Sequence, residues 1–279
     1  MRSIHSDAVV EAVAGMCVSA NRYLPEDVRQ CFAACAAGED SPAAREVFRQ
    51  LTENYELAAE SGLPLCQDTG LAVFFVEVGQ DLCVEGQNLR EAINAGVRKG
   101  YEEGKLRKSA CDPFTRANTK DNTPAIIHFD FVPGDKLKIA FMAKGGGSEN
   151  MSRVTMLSPA QGWEGIKKFV LQRVADAGPN PCPPTIIGVG IGGTFDYAPI
   201  LAKKALLRKL GDSNPDPKLD AMEKELLAEI NKLGIGPMGL GGRTTSLDVK
   251  IAVSPCHIAS LPLAVNVQCH SARHEEVEL

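Results

Sequence analysis

The segment Cys66-Gln-Asp-Thr-Gly-Leu-Ala-Val-Phe-Phe-Val-Glu-Val78 joins a dense polar motif to an apolar run. Leu71 to Val78, with two central phenylalanines, has the composition of a buried β-strand. The five residues before it carry a thiol, an amide, a carboxylate and a hydroxyl, which are too polar to be there for packing. The segment therefore predicts a strand whose leading loop, Cys66 to Gly70, is the centre of an active site.

Three helical patterns precede this segment. Apolar residues recur at helical spacing from Ser6 to Asn21, Pro25 opens a second helix that runs to Ala37, and a third helix begins at Pro42 and ends near Ser61. We therefore predict an N-terminal helical part, residues 1–62. Residues 63–279 are predicted to form a mixed α/β part that carries the polar motif.

Alternating strands and a long polar loop follow the motif. Asn88 to Glu103 is amphipathic and is predicted to be a helix, whereas Asp112 to Thr123 has too little apolar content to form an element. Ile126 to Phe131 and Lys136 to Met142 alternate like strands and are joined by a Pro-Gly-Asp turn, which predicts a β-hairpin. This hairpin would lead the chain into the glycine-rich segment Lys144-Gly-Gly-Gly-Ser-Glu-Asn150.

The rest of the chain alternates between helical and strand patterns. Helices are predicted for Trp163 to Ala177, Asp196 to Leu210 and Lys218 to Leu233, and strands for Thr185 to Val189, Leu247 to Val253 and Leu263 to Val267. The predicted fold class is α/β, with an N-terminal helical layer followed by a mixed β-sheet with packed helices.

Composition limits the classes of partner. The chain has 279 residues, of which 44% are hydrophobic and 23% are charged, so it can bury a sizeable core. A formal net charge of −5 gives no electrostatic reason to expect nucleic acid or an anionic membrane as a partner. We find no apolar run of a signal peptide or of a membrane span, so we expect a cytoplasmic protein.

A glycine motif raises the possibility of a dinucleotide-binding enzyme. Gly188, Gly190 and Gly193 fit the pattern G-x-G-x-x-G between a predicted strand and a predicted helix. A dinucleotide site also needs a second parallel strand directly after that helix. The chain instead runs through Asn214-Pro-Asp-Pro217 into another helix, so we predict that the βαβ unit does not close and that these glycines serve tight packing or a close approach of the backbone to a ligand.

Three of the nine cysteines differ from the others in their setting. Cys66, Cys182 and Cys269 each lie at a break between predicted elements, and prolines flank Cys182 on both sides. An odd number of cysteines without a secretory signal favours reduced thiols over a disulfide framework. Three thiolates can bind zinc with an open position or an iron–sulfur cluster with one iron that lacks a protein ligand, or they can be scattered core thiols. The spacing alone leaves Cys83, Cys111 and Cys256 as substitutes.

Four motifs together resemble a known family. They are Cys66-Gln-Asp-Thr-Gly70, Lys144-Gly-Gly-Gly-Ser-Glu-Asn150, the Cys-Pro-Pro that begins at Cys182 with Gly192-Gly-Thr194 downstream, and Cys269 followed by Arg273. In this order they resemble the iron–sulfur-dependent hydro-lyases of the class I fumarate hydratase and tartrate dehydratase family. The resemblance is to the alpha subunit, or to the N-terminal part of the fused single-chain form, and it covers nearly the whole chain.

The resemblance implies a cofactor and a set of site residues. It implies a [4Fe-4S] cluster held by Cys66, Cys182 and Cys269, with one iron that lacks a protein ligand. It places the general base at Asp68, for which the alternative is a carboxylate that caps a turn. It also implies substrate carboxylate contacts at Arg107, for which Arg116 is the substitute, and at the glycines centred on Gly146. Gln67 is the remaining neutral donor for the substrate.

The resemblance also implies a partner and a reaction. A separate beta subunit would complete the pocket, because the fused relatives continue well beyond the third cysteine whereas this sequence ends ten residues after Cys269. The substrate would be a small dicarboxylate. We expect reversible hydration of fumarate to malate, with tartrate dehydration as the alternative and a non-catalytic iron–sulfur scaffold or sensor as the more remote one.

Overall fold

The chain has the mixed α/β fold class that its sequence predicts. The computed structural model describes residues 2–279. The elements, in chain order, are β1 (Arg2–His5), α1 (Ser6–Arg22), α2 (Glu26–Ala37), α3 (Pro42–Ser61), β2 (Leu71–Gly79), β3 (Leu82–Glu85), α4 (Leu89–Glu103), β4 (Ile126–Val132), β5 (Leu137–Lys144), α5 (Gly146–Glu149), β6 (Arg153–Leu157), α6 (Gly162–Ala177), β7 (Thr185–Gly192), α7 (Tyr197–Ala205), α8 (Pro217–Asn231), β8 (Ser246–Ser254), β9 (Leu261–Gln268) and β10 (His274–Glu278). None of the described helices combines the length and the hydropathy needed to cross a membrane.

Contacts between the elements divide the chain into two units. Unit 1 consists of Met1–Pro25, Tyr55–Gly146 and Arg273–Leu279, and unit 2 consists of Glu26–Asn54 and Gly147–Ala272. The helices α1, α2 and α3 confirm the three predicted N-terminal helices. The units nevertheless differ from the predicted division after residue 62, because α1 belongs to unit 1 whereas α2 belongs to unit 2.

The predicted strand after the polar motif is an inner strand of the larger sheet in unit 1. This sheet has the order β10-β5-β2-β4, in which β5 runs antiparallel to β2 and β4 runs parallel to it. Phe74 on β2 and Phe141 on β5 are fully buried, and their ring centroids lie 5.2 Å apart. Val9 of α1 and Val97 of α4 belong to the same hydrophobic cluster, so these helices cover one face of the sheet.

The predicted hairpin of β4 and β5 is wrong. Phe74 of β2 pairs with Ile127 of β4 on one side and with Phe141 of β5 on the other, so β2 lies between the two strands. A buried strand must satisfy its backbone N–H and C=O groups at both edges, and β2 does so by separating β4 from β5. Alternation predicts that a segment is a strand but does not identify its neighbours.

Unit 2 contains a second mixed sheet, with the order β6-β9-β7-β8. The side chains of α6 and α8 pack on one face, where Val170 and Ile230 share a cluster with Val265 of β9. On the opposite face, α7 places Ala198 and Ala202 against the sheet. Helix α7 ends at Ala205, so it is shorter than the segment predicted up to Leu210.

The glycine motif lies within β7 and serves packing against α7. A Cβ atom on Gly188 would lie 2.1 Å from the Ala202 carbonyl oxygen, and one on Gly190 would lie 2.1 Å from that of Ala198. The absence of a side chain at Gly188 and Gly190 therefore lets the backbone of α7 pack directly against β7. The prediction that the βαβ unit does not close is wrong, because β8 pairs in parallel with β7 after both α7 and α8.

Candidate active site

The loop Cys66 to Gly70 lies where β2 begins and β5 ends. Because Leu71 pairs with Lys144 in antiparallel register, the residue before β2 and the residue after β5 are neighbours. Gly70 has a φ of +72°, and a Cβ atom there would lie 2.8 Å from the backbone N and C atoms of Lys144. Only glycine fits this position without strain, and it brings the polar loop directly against the glycine-rich segment.

The Asp68 carboxylate is fixed by backbone groups of both segments. Its Oδ1 accepts a hydrogen bond from Gly70 N–H at 2.9 Å, and its Oδ2 accepts one from Gly146 N–H at 2.8 Å. The first bond is the turn-capping contact that we considered as the alternative role of Asp68. The second bond joins two distant segments, and the half-buried carboxylate still has unused lone pairs for a ligand.

The backbone of the Asp68 loop is anchored by buried side chains of unit 1. The Tyr101 hydroxyl donates to the Thr69 carbonyl oxygen at 2.8 Å, and Asn122 Nδ2 donates to the Gly70 carbonyl oxygen at 3.1 Å. Arg273 Nη1 donates to the carbonyl oxygen of Asp68 itself. Burial raises the pKa of Tyr101, so this hydroxyl stays a neutral donor at physiological pH.

Arg107 is tied to the same loop through its backbone. The Thr69 hydroxyl donates to the Arg107 carbonyl oxygen at 2.7 Å, while the Arg107 side chain is exposed and makes no ion pair within the described part of the chain. Gln67 is also exposed, and its Oε1 lies 3.4 Å from Cys66 Sγ. The guanidinium of Arg107 and the amide NH₂ group of Gln67 are the kind of donors that a carboxylate ligand requires.

The polar stretch after Arg107 forms no helix or strand, as predicted. Asp112 Oδ1 accepts hydrogen bonds from Phe114 N–H and Thr115 N–H, so the loop closes on its own carboxylate. The hydrogen bonds from Thr115 hold the pKa of Asp112 below its usual range. Arg116, the substitute for Arg107, is exposed in this loop and has a φ of +61°.

The three cysteines singled out from the sequence fall into both units. Cys66, in unit 1, is half-buried and its Sγ accepts a hydrogen bond from Asp68 N–H at 3.4 Å. In unit 2, Cys182 precedes β7 and Cys269 follows β9, and the antiparallel pairing of Ile186 with Gln268 places both at one edge of the sheet. His270 N–H donates to the Cys182 carbonyl oxygen at 3.4 Å, which ties the two loops together.

The donor chemistry of these cysteines fits an iron–sulfur cluster. None of the nine cysteines is in a disulfide, and thiolates are the ligands that such clusters take. Cys182, exposed and held at a φ of +54° between two prolines, has a fixed backbone, which suits a ligand. Across residues 2–279, no three His, Cys, Asp or Glu side chains are grouped as a set of metal ligands.

Comparison with known proteins places the chain in a family. The profile of the family described as "Fumarate hydratase (Fumerase)" matches residues 10–278. The chain belongs to the fumarate hydratase (fumerase) family. As a member of this family, it is a hydro-lyase of the fumarate hydratase and tartrate dehydratase type.

Curated relatives of this fumerase-family chain carry the names of tartrate dehydratase subunits. It is 45% identical over 274 residues to the "Putative L(+)-tartrate dehydratase subunit alpha" of Methanocaldococcus jannaschii, covering 96% of this chain and 95% of the relative. It is 32% identical over 269 residues to the L(+)-tartrate dehydratase subunit alpha of Escherichia coli strain UTI89, covering 95% of this chain and 88% of the relative. The family resemblance inferred from the four motifs is confirmed.

The sequence did not indicate the anchors of the Asp68 loop. Asn21, Tyr101 and Asn122 are all fully buried. Asn21 and Tyr101 occur in helical patterns that give no sign of a site, and the composition of the polar stretch from Asp112 to Thr123 does not single out Asn122. The sequence singled out Arg273 only as part of a family motif and assigned it no role. The role of such residues can be recognised only in the folded chain, where they contact a loop that is distant in sequence.

Proposed function

We propose that this chain is the alpha subunit of an iron–sulfur hydro-lyase that dehydrates L(+)-tartrate. The names of its relatives support this substrate over fumarate, which the sequence motifs alone had put first. Fumarate hydration is the second candidate, because the family profile carries that description. Both substrates are four-carbon dicarboxylates, and both reactions transfer a proton next to a carboxylate.

The observation that carries the proposal is the fixed carboxylate of Asp68, on a loop that Thr69 ties to the backbone of Arg107. Dehydration of a hydroxy dicarboxylate removes a proton from the carbon next to one carboxylate and a hydroxide from its neighbour. Asp68 is the proposed base for that proton, and its hydrogen bonds to Gly70 and Gly146 hold it in one orientation. A base that is already oriented needs little reorganisation when the substrate binds.

Three groups of unit 1 are proposed to bind the substrate carboxylates. Arg107 can hold one of them with two parallel hydrogen bonds, and Gln67 adds a neutral donor. Gly146 adds a backbone N–H, which is bonded to Asp68 Oδ2 in this structure. A bound carboxylate would therefore share or replace that hydrogen bond, which couples substrate binding to the base.

The proposed cofactor is a [4Fe-4S] cluster bound by Cys66, Cys182 and Cys269. When bound, it would supply an iron without a protein ligand as a Lewis acid for the departing hydroxyl. A beta subunit is the proposed partner, because the relatives are named alpha subunits. We propose that this partner supplies the general acid and the remaining substrate contacts.

The test is anaerobic co-expression of both subunits, reconstitution with iron and sulfide, and assay on L(+)-tartrate, the other tartrates, malate and fumarate. We expect the highest kcat/KM on L(+)-tartrate, and a higher value on fumarate would support the second candidate. Asp68→Asn should keep the cluster absorbance and lower kcat by about 10²-fold to 10⁴-fold, the usual contribution of a general base. Asp81→Asn, at an exposed position of unit 1, is the matched control and should leave kcat unchanged.

Two outcomes would reject the proposal. If Asp68→Asn keeps full turnover on every substrate, Asp68 is not the base. If the complex binds a cluster but converts none of the substrates, the chain is an iron–sulfur scaffold or sensor. Full turnover by the reconstituted chain without its partner would contradict only the need for a beta subunit.

A further inference from the structure

Arg273 is a buried cation beneath the Asp68 loop. Only 1% of the residue is exposed, and its backbone carbonyl oxygen accepts a hydrogen bond from Ala143 N–H of β5 at 3.0 Å. Its Nη1 donates to the carbonyl oxygen of Asp68 and, at 3.2 Å, to Asn21 Oδ1. The guanidinium thus links the loop that carries the proposed base to the end of α1.

No carboxylate neutralises this guanidinium by an ion pair within the described residues, and its buried Nε has no hydrogen-bond partner there. A buried charge without a counterion is costly, and its replacement by an apolar side chain often stabilises a protein. The positive charge at this position is therefore poorly explained by stability. A role in the adjacent site explains it better.

Arg273 and Asp68 face each other across Gly145. A Cβ atom on Gly145 would lie 3.1 Å from Asp68 Oδ2 and 3.3 Å from Arg273 Nη2. Because Gly145 has no side chain, the Asp68 carboxylate and the Arg273 guanidinium both lie close to its Cα atom. A methyl group at this position would force one of the two side chains to move. The Arg273 guanidinium therefore lies near the carboxylate of the proposed base and also binds the backbone of that residue.

Asn21 extends this support to the residues that precede Cys66. Asn21 is fully buried, and its backbone carbonyl oxygen accepts a hydrogen bond from Leu65 N–H at 2.8 Å. Its Nδ2 donates to the Cys17 carbonyl oxygen at 2.9 Å, so the amide is anchored to α1. Asn21 and Arg273 thus fix both ends of the segment from Leu65 to Asp68.

We propose that Arg273 is the positioning residue of Asp68, which it holds through the Asp68 carbonyl oxygen and faces with its positive charge. This inference rests on the proposed role of Asp68 as the base. Loss of the guanidinium should release the loop and misplace the carboxylate. The proton transfer should then slow by more than the affinity for the substrate falls, because Arg107 and Gln67 are proposed to bind the substrate without contact to Asp68.

The kinetic test compares Arg273→Met and Arg273→Lys in the reconstituted complex, with kcat expressed per cluster. We expect Arg273→Met to lower kcat by about 10²-fold, the usual effect of misplacing a catalytic group by about 1 Å, and to change KM by less than about threefold. Arg273→Lys keeps the charge and one donor and should recover part of kcat. A purely structural role would reduce the folded fraction and leave kcat per cluster unchanged.

A second readout does not depend on turnover. The amides of Gly70 and Gly146 donate to Asp68, so their hydrogen exchange reports how firmly its carboxylate is held. In Arg273→Met their exchange should be about tenfold faster, since loss of a hydrogen bond from a charged donor shifts a local opening by about that factor. The control is Arg173→Met in unit 2, because Arg173 also has a buried unpaired Nε but contacts Asp176.

Gly145→Ala keeps the test decisive if the arginine variants fold poorly. Its methyl group would push against Asp68 and Arg273, so we expect the same loss of kcat and the same faster exchange. Gly15→Ala, exposed on α1 with no atom within 4 Å of the new methyl group, is the matched control. Wild-type exchange and wild-type kcat in folded Arg273→Met, or in Gly145→Ala, would overturn the inference. A wild-type complex that converts no substrate would reject the proposed function, and the exchange data would still decide the role of Arg273.

Discussion

Replacing Gly70 with alanine tests how closely the Asp68 loop is held against β5. At a φ of +72° an L-residue costs about 1 to 2 kcal/mol. The new Cβ atom would also lie 2.8 Å from the Lys144 backbone, which cannot rotate away like a side chain, and such overpacking costs about 1 to 3 kcal/mol. Together these effects should lower the free energy of unfolding by about 2 to 5 kcal/mol.

Gly62→Ala is a control that separates the two effects. Gly62 has a φ of +69°, but no atom lies within 4 Å of a Cβ atom at that position. Alanine there should lower the free energy of unfolding by only about 1 to 2 kcal/mol, the cost of the backbone conformation. The two variants therefore differ mainly in the contact with Lys144.

Urea unfolding followed by far-UV circular dichroism measures both free energies, provided that the slopes with denaturant agree between the variants. Turnover of the reconstituted complex should also fall in Gly70→Ala, because the clash with Lys144 would displace the backbone N–H that orients the Asp68 carboxylate. Equal losses of stability in the two variants would refute the reasoning. They would mean that the loop can move away from β5 at no cost.

Two further predictions concern a buried hydroxyl and a helix cap. Tyr101→Phe should lower the free energy of unfolding by about 1 kcal/mol at pH 7, because the Thr69 carbonyl oxygen loses its donor, whereas Tyr23→Phe at an exposed position should have little effect. Burial raises the pKa of Tyr101, so above about pH 10 the unfolded chain loses the hydroxyl proton before the folded chain does. The free energy of unfolding should therefore fall more steeply with pH in the wild type than in Tyr101→Phe. Equal pH dependence of the two free energies, from unfolding at several pH values, would contradict this. Asp216 accepts hydrogen bonds from Lys218 N–H and Leu219 N–H at the start of α8. Asp216→Ala should therefore lower the free energy of unfolding in urea by about 1 kcal/mol, and Asp216→Asn should lower it much less. Equal losses in the two variants would argue against a capping role.

Sequence patterns predicted most of the longer elements of this fold. The helices α1 to α3 and the strand β2 follow from apolar periodicity and from proline positions, which are local properties. The strands β1, β3, β6 and β10 were not predicted, because four or five residues give too short a pattern. The neighbours of β4 and β8 depend on pairing across the sheet, which local periodicity does not encode.

The sequence assigned residues to the candidate site but did not indicate which side chains hold them in place. The residue types at Cys66 to Gly70 indicated a reactive loop, and the family resemblance assigned Asp68, Arg107 and Gly146. The structure adds that Asp68 and Gly146 are hydrogen-bonded to each other and that Thr69 ties Arg107 to the loop. The buried donors that fix the loop are distant in sequence, so no local pattern could identify them.

The distance in sequence between Asp68 and Arg273 determines when the Asp68 loop can be anchored during biosynthesis. The hydrogen bond from Arg273 to Asp68 spans 205 residues, and between them the ribosome must synthesise all of the strands and helices from β2 to β9. At bacterial or eukaryotic elongation rates this interval lasts roughly 10 to 40 s. During that time a nascent chain already displays the thiol of Cys66 and the carboxylate of Asp68 on a loop that lacks its arginine. Assembly of a working site is therefore among the last events in the folding of this chain.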